Sequence, residues 1–384
     1  MILIRNGKTF TATGRNYENG CILIDGDKII EVDENIGIKN DMRVIDAKGG
    51  WVIPGIIDAH CHIGLIEEGM GFEGSDINES TDPITPDLRA IDGINPLDTA
   101  FEEAVKAGIT TVMTGPGSAN VIGGQFVAMK TKGICVDDMI IKAPAAMKVA
   151  FGENPKRVYN SKGKMPMTRM ATAALLRETL TKAKNYKQKK DSAQIKGENF
   201  DIDLKMEALI PVIQKKIPLK AHAHRADDML TAIRIAKEFD VLLTLDHCTE
   251  GEIIAEYIKN AKVPAIVGPT LTFKGKIETK NKSFTTPKEL NKAGVKVAIM
   301  TDHPVIPIQY LPMCAGLAVK EGWDLEEALK AITINAAEII GVEDRVGSIE
   351  KGKDADIAIF DGNPLDSLTK TMYTIINGKV EYRI

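Results

Sequence analysis

Eight short apolar runs recur through the middle of this chain, at residues 55–62, 109–114, 124–129, 146–151, 218–222, 241–247, 263–268 and 295–302. Helical patterns separate most of them, over 98–107, 168–184, 226–239, 250–260 and 287–293, and another over 325–340 follows the last. A helix between two strands returns the chain to the same end of the sheet, so this alternation predicts parallel pairing. Eight strands within about 250 residues match a closed (β/α)8 TIM barrel. A doubly wound open sheet shares the alternation, and strand counting alone leaves it open.

The ends of the chain read differently. Met1 to Ile4, Cys21 to Ile24 and Lys28 to Val32 are short strand candidates, with Asn6-Gly7 and Asp25-Gly26 as hairpin-type turn signals. Near the other terminus, Ala355 to Phe360 is an apolar strand, and Ile375-Ile376 precedes an Asn377-Gly378 turn before Lys379 to Tyr382. Two β-rich ends around an α/β middle predict a small β-sandwich built from residues 1–53 and 345–384, beside a barrel over 54–344. Two segments break the alternation: a Gly-rich acidic loop at 64–95, read as a lid or a solvated loop, and a lysine-rich stretch at 182–203, read as a solvated helix end and insertion.

Global composition excludes some partners. Forty-nine basic against 53 acidic residues give a net charge of −4, which argues against a strongly basic nucleic-acid binder. No run approaches the ~18 apolar residues of a membrane span, and the apolar start MILIRNGKTF is broken by Arg5 and Asn6. The five cysteines are scattered without a CxxC pair, so the sequence predicts no disulfide scaffold and a reducing, cytoplasmic setting.

The six histidines carry the chemistry: His60, His62, His222, His224, His247 and His303. His60 and His62 end the first run in WVIPGIIDAHCHIG, and strand alternation points both the same way with Cys61 opposite. Two neutral imidazoles on one side of a strand end form a chelating pair for a divalent metal. The fifth run ends in Lys220-Ala221-His222-Ala223-His224, the sixth in Asp246-His247, the eighth in Thr301-Asp302-His303-Pro304. In a barrel those carboxyl ends meet at one mouth, however far apart they lie in sequence. Four such placements constitute the signal.

At these residues the chain resembles the amidohydrolase superfamily, close to its imidazolonepropionase-related and Xaa-Pro dipeptidase-like branches. The resemblance rests on VIDAKGGWVIPGIIDAHCH, AGITTV, HAH, DHCTEG, MTDHP and the tail GSIEKGKDADIAIFDG. It implies that His60, His62 and Asp302 bind one metal ion. His222 and His247 match the histidines that hold a second ion in two-metal relatives, where a carboxylated lysine forms the bridge; Lys148 matches that lysine and Glu153 is the alternative. One-metal relatives use His60, His62, His222 and Asp302, leaving His247 to contact substrate. Zinc leads the expectation, with manganese, iron and nickel as alternatives. The metal lowers the pKa of water towards about 7, and hydroxide attacks a planar C=O or C=N carbon. Asp302 moves the proton as general base and then acid, assisted by His247 at the oxyanion. The reaction implied is cleavage of a C–N bond in a small amide, cyclic amide or dipeptide; the alternatives are deamination of a nitrogen heterocycle and, from another class, a non-catalytic barrel.

Weaker signals surround this set. Gly115-Pro116-Gly117-Ser118-Ala119-Asn120 lacks the third glycine of a dinucleotide loop and leads into a strand, which leaves a substrate-lining loop, with Asn120 the candidate contact, or a tight turn. His224 shares a face with His222, Arg225 could hold a substrate carboxylate, and His303 could reach substrate if the loop bends. Cys248 adjoins His247 without a Cys-His-Asn pattern. Barrel enzymes of this kind often form homo-oligomers, and the substrate itself is not encoded in these motifs.

Overall fold

A computed structural model describes residues 1–40 and 42–384. The N-terminal strands are β1 (Ile2–Thr9), β2 (Tyr17–Asp25), β3 (Lys28–Asp33), β4 (Arg43–Asp46) and β5 (Trp51–Pro54). The barrel strands follow as β6 (Ile56–Cys61), β7 (Ile109–Thr114), β8 (Ile122–Lys130), β9 (Ile140–Ala150), β10 (Leu219–Ala223), β11 (Leu243–His247), β12 (Ala265–Val267) and β13 (Val297–Ile299). The chain returns to the first sheet with β14 (Ile357–Phe360), β15 (Thr371–Ile376) and β16 (Lys379–Arg383).

Strands β6 to β13 pair in chain order, and all eight expected runs are present. The expectation of parallel pairing fails at one strand: β8 runs antiparallel to both β7 and β9. The reason lies in its connections. Residues 115–121 and 131–139 are too short for crossover helices and instead make hairpin-like returns. Between β13 and β6 the ring is closed by main-chain bonds at the carboxyl end, where His62 N donates to His303 O (2.9 Å) and Asp302 N to His60 O (3.2 Å).

The terminal strands form a second sheet in the order β16-β15-β14-β5-β1-β2-β3, with β4 also pairing β1. Its two halves wrap one core, in which Ile4, Ile22 and Ile29 meet Val52, Ile357 and Ile375. Asn6-Gly7 is not the expected turn. It lies inside β1 at a register shift, with Asn6 at φ 58° and its amide donating to Asp46 Oδ2 (3.0 Å). A Cβ on Gly7 would stand 2.4 Å from Val52 Cγ2, so glycine is required by close approach rather than by a hairpin. The sheet is fastened to the barrel by buried ion pairs: Lys130 Nζ, at the end of β8, reaches Asp356 (2.6 Å) and Asp354 (3.0 Å).

The helices follow their apolar spacing. Over Ala226–Phe239, Met229, Ala232, Ile233 and Ala236 are buried at i, i+3, i+4 and i+7, and Asp240 stops the helix at φ 54°. The stretch 182–203 is mostly a continuation of one long helix, Arg169–Lys196, that ends at Gly197 with φ 67°. The expected helix over 325–340 is two, Leu325–Ala331 and Ile334–Ile340, broken at Thr333.

Candidate active site at the barrel mouth

At the carboxyl ends of the strands a cavity of about 570 Å³ opens, lined among others by His62, Lys148, His222, His224, His247 and Asp302. A larger groove, about 670 Å³, lies at the opposite end against Pro218, Val263 and Val295, and none of the six histidines reaches it.

Two groups of three potential ligands stand side by side at the mouth. The first is His60, His62 and Asp302; the second is His222, His224 and His247. In the first, His60 Nε2 (3.3 Å) and His62 Nε2 (3.2 Å) converge on the same oxygen, Asp302 Oδ1. The groups are adjacent: the His60 and His247 rings lie 5.7 Å apart, and His247 is 4.3 Å from His222 and 4.4 Å from His224.

Each ring is held by its other nitrogen. His62 Nδ1 lies 2.7 Å from Gly115 O, His247 Nδ1 2.9 Å from Gly268 O, and His224 Nδ1 2.8 Å from Thr249 Oγ1. His60 Nδ1 sits 3.0 Å from Asp246 Oδ2. A proton on Nδ1 directed to an oxygen leaves the Nε2 lone pair free, which is the tautomer a metal requires. His247 Nε2 is buried with no hydrogen-bond partner. A buried donor set with its tautomers fixed and one nitrogen unsatisfied fits a divalent cation.

The charges beneath the rings explain this order. Asp246 is fully buried and also receives Lys220 Nζ (3.1 Å), with Lys148 Nζ at 3.8 Å. Burial opposes its ionisation, but Lys220, His60 and Lys148 together hold its carboxyl well below the ordinary range. Burial and the Lys148 ammonium lower His60 to about 4, and burial takes His224 to about 3, so both rings are neutral at pH 7. Lys148 is pushed down to about 8, chiefly by burial, and lies 3.5 Å from His60 Nε2. That raises the fraction of free amine, the form that combines with CO2. Asp302 is buried, which disfavours its charge, yet His60 and His62 hold it ionised.

Strand alternation misleads at the mouth. Asp246 and His247 are sequence neighbours and both face the centre, because the backbone leaves the strand at His247 (φ 73°) and Cys248 (φ 50°). Asp302 likewise adopts φ 56°, beyond the end of β13. Positive φ at non-glycine residues is uncommon and clusters at functional sites.

Other expected contacts are placed elsewhere. Asn120 spends its amide on Glu79 O, Thr85 Oγ1 and the Tyr159 hydroxyl, outside the cavity lining. Arg225 is locked to Asp227 by two hydrogen bonds of 2.9 and 3.0 Å, at the edge of the fold. His303 is buried behind the mouth, where its Nδ1 accepts from Ile308 N (3.2 Å). Glu153 enters only through its backbone N–H, which donates to Glu278. The loop 64–95 contributes Ile66, Ile77 and Asn78 to the cavity, while its acids are turned to partners such as Lys205 and Arg89. Cys248 is buried and its thiol pushed up by burial, unsuited to nucleophilic attack.

Three residues of the site lie outside the sequence reading: Lys220, Asp246 in its bridging role, and Glu278. Lys220 shares the parity of His222 on β10, a signal the strand pattern contained. Glu278, in a short helical turn after β12, is 2% exposed and carried no such signal.

Comparison with known proteins decides the lineage. Residues 51–381 match the amidohydrolase family. A crystal structure of an amidohydrolase from Thermotoga maritima MSB8 superposes with a TM-score of 0.97 at 46% identity over 100% of both chains. The chain belongs to the amidohydrolase family. Imidazolonepropionase from Caldanaerobacter subterraneus subsp. tengcongensis is 26% identical across 91% of this amidohydrolase and 85% of its own length. Amidohydrolase tasK from Hapsidospora irregularis is 27% identical across 94% of this chain, which spans only 40% of that protein. The family makes this chain a hydrolase acting on carbon–nitrogen bonds.

Proposed function

We propose that this amidohydrolase uses a divalent metal, zinc first, to hydrolyse an amide or cyclic amide in a small molecule. The observation that carries the proposal is the convergence of His60, His62 and Asp302, with the histidine Nε2 atoms on one carboxylate oxygen. Those three residues would hold the ion. A bound ion supplies Lewis acidity and brings the pKa of water towards about 7.

The chain's residues do the rest. Asp302 accepts the proton of the attacking water and delivers it to the departing nitrogen. His247, with its unpartnered Nε2 on the cavity, faces the developing oxyanion. Asp246 keeps His60 oriented, and Lys148, carboxylated or free, stands beside it. The cavity volume suits a small ligand rather than a folded polypeptide. The name of the imidazolonepropionase relative agrees with a cyclic amide, as a ring C–N bond opened by water.

The test is a metal-replete screen against N-acyl amino acids, dipeptides, lactams, hydantoins and aminated heterocycles. A new carboxylate and amine without ammonia supports amide cleavage; released ammonia replaces it with deamination. Stripping the metal should abolish turnover and adding zinc restore it. Full turnover by verified metal-free protein would overturn metal dependence.

A further inference from the structure

The two triplets differ in what surrounds them. Around His60, His62 and Asp302 the donor set stops at three. Around His222, His224 and His247 a fourth donor is present: Glu278 Oε1 lies 3.9 Å from His222 Nε2 and 3.8 Å from His224 Nε2. This oxygen is buried and has no hydrogen-bond partner. Its sister Oε2 is fixed by Glu153 N at 3.0 Å. A Cβ on Gly152 would come within 2.8 Å of Oε2, so the backbone here is shaped around the carboxylate. Lys276 Nζ, 3.7 Å from Oε1, supplies charge but donates instead to Asn154 Oδ1 at 2.7 Å.

We infer that His222, His224, His247 and Glu278 form a closed four-ligand divalent-metal site whose task is structural, distinct from the open three-ligand site of the reaction. The inference rests on the metal-dependent reading above and adds His224 and Glu278 to the histidines that the family resemblance implies. Bonds of about 2.0–2.2 Å in a tetrahedron separate neighbouring ligands by roughly 3.3–3.5 Å. The observed 3.8–3.9 Å therefore closes with shifts of a few tenths of an ångström. Four protein ligands leave no position for water, the hallmark of structural zinc, whereas three leave one open.

What such an ion would fasten follows from where Glu278 sits. It is the only one of the four on the segment 269–285; the histidines stand at the ends of β10 and β11. That segment forms a wall of the cavity through Thr272, Phe273, Lys276, Thr279 and Lys282. A cation shared between barrel and loop would clamp the wall in place without touching the reacting bond.

The experiment compares Glu278→Gln and Asp302→Asn with the parent protein after zinc loading and desalting. Glutamine keeps the size of the side chain and an oxygen for Glu153 N, so the fold is retained. The parent should bind two equivalents, and Glu278→Gln should weaken one of them by more than about 10- to 100-fold, the loss typical of removing even an outer partner of a ligand. In cobalt-substituted protein, the intense visible absorption of a tetrahedral site should vanish in Glu278→Gln and persist in Asp302→Asn. Hydrogen exchange over 269–285 should rise in Glu278→Gln and stay at the parent level in Asp302→Asn. Wild-type stoichiometry, affinity and exchange in Glu278→Gln would overturn the inference. A parent that binds one ion, lost in Asp302→Asn and kept in Glu278→Gln, would overturn it while leaving the proposed reaction standing. A parent that binds none would end both.

Discussion

Replacing Asp246 with asparagine tests the centre from below. This carboxylate is fully buried and is the common acceptor of two buried lysines and one histidine, with Lys220 at 3.1 Å, His60 at 3.0 Å and Lys148 at 3.8 Å. With an effective dielectric of about 20, each lysine attraction is worth ~4–5 kcal/mol before desolvation is set against it. Breaking a buried pair by removing one partner has a net cost of ~3–5 kcal/mol, because the opposite charge is stranded. Unfolding entropy near 2.1 cal/mol/K per residue amounts to about 0.8 kcal/mol/K for this chain. The melting midpoint should therefore fall by ~4–6 °C. His60 also loses the acceptor of its Nδ1 proton, so metal affinity at His60, His62 and Asp302 should drop by about 10- to 100-fold. Calorimetry and chelator competition read the two effects separately. An Asp246→Asn protein with unchanged midpoint and unchanged metal affinity would refute the view that this carboxylate organises the site.

Two further outcomes follow from the same structure. Asp302→Asn should cut turnover by about 10²–10⁴-fold, the range for general acid–base catalysis, while circular dichroism stays native; near-normal turnover would remove Asp302 from the proton path. Asp354 is 1% exposed, and although burial raises its pKa, Lys130, Lys28 and Arg345 bring it down to about 2 from 3.8. A carboxyl depressed on folding stabilises the protein fully above its unfolded pKa and loses that contribution as pH falls through the folded value. Denaturant titrations should thus show ~2.5 kcal/mol disappearing between about pH 4 and pH 2. In Asp354→Asn that acid limb should flatten, with a matching loss already present at pH 7. A limb of undiminished height in the variant would assign the acid sensitivity elsewhere.

The alternation of apolar runs and helical patterns, together with donors at strand ends, was sufficient to predict a barrel with its chemistry at one mouth. This worked because periodicity and strand polarity are local properties: His60 and His62 share a face by pleat alone, and any parallel closure gathers carboxyl ends. Buried spacing likewise marked the helix over 226–239. Three things lay beyond local rules. The reversal of β8 depends on two connections too short to cross over. The inward turn of both Asp246 and His247 depends on positive-φ backbone at the strand end, which breaks the alternation that sequence reading relies on. Glu278 reaches the histidines only because a loop after β12 folds back across the mouth, and Asn120 and Arg225 are withdrawn from it by partners such as Tyr159 and Asp227. Strand pattern determines which residues arrive at a common end; the competition among neighbours for each side chain, settled only by packing, determines which of them remain free to act there.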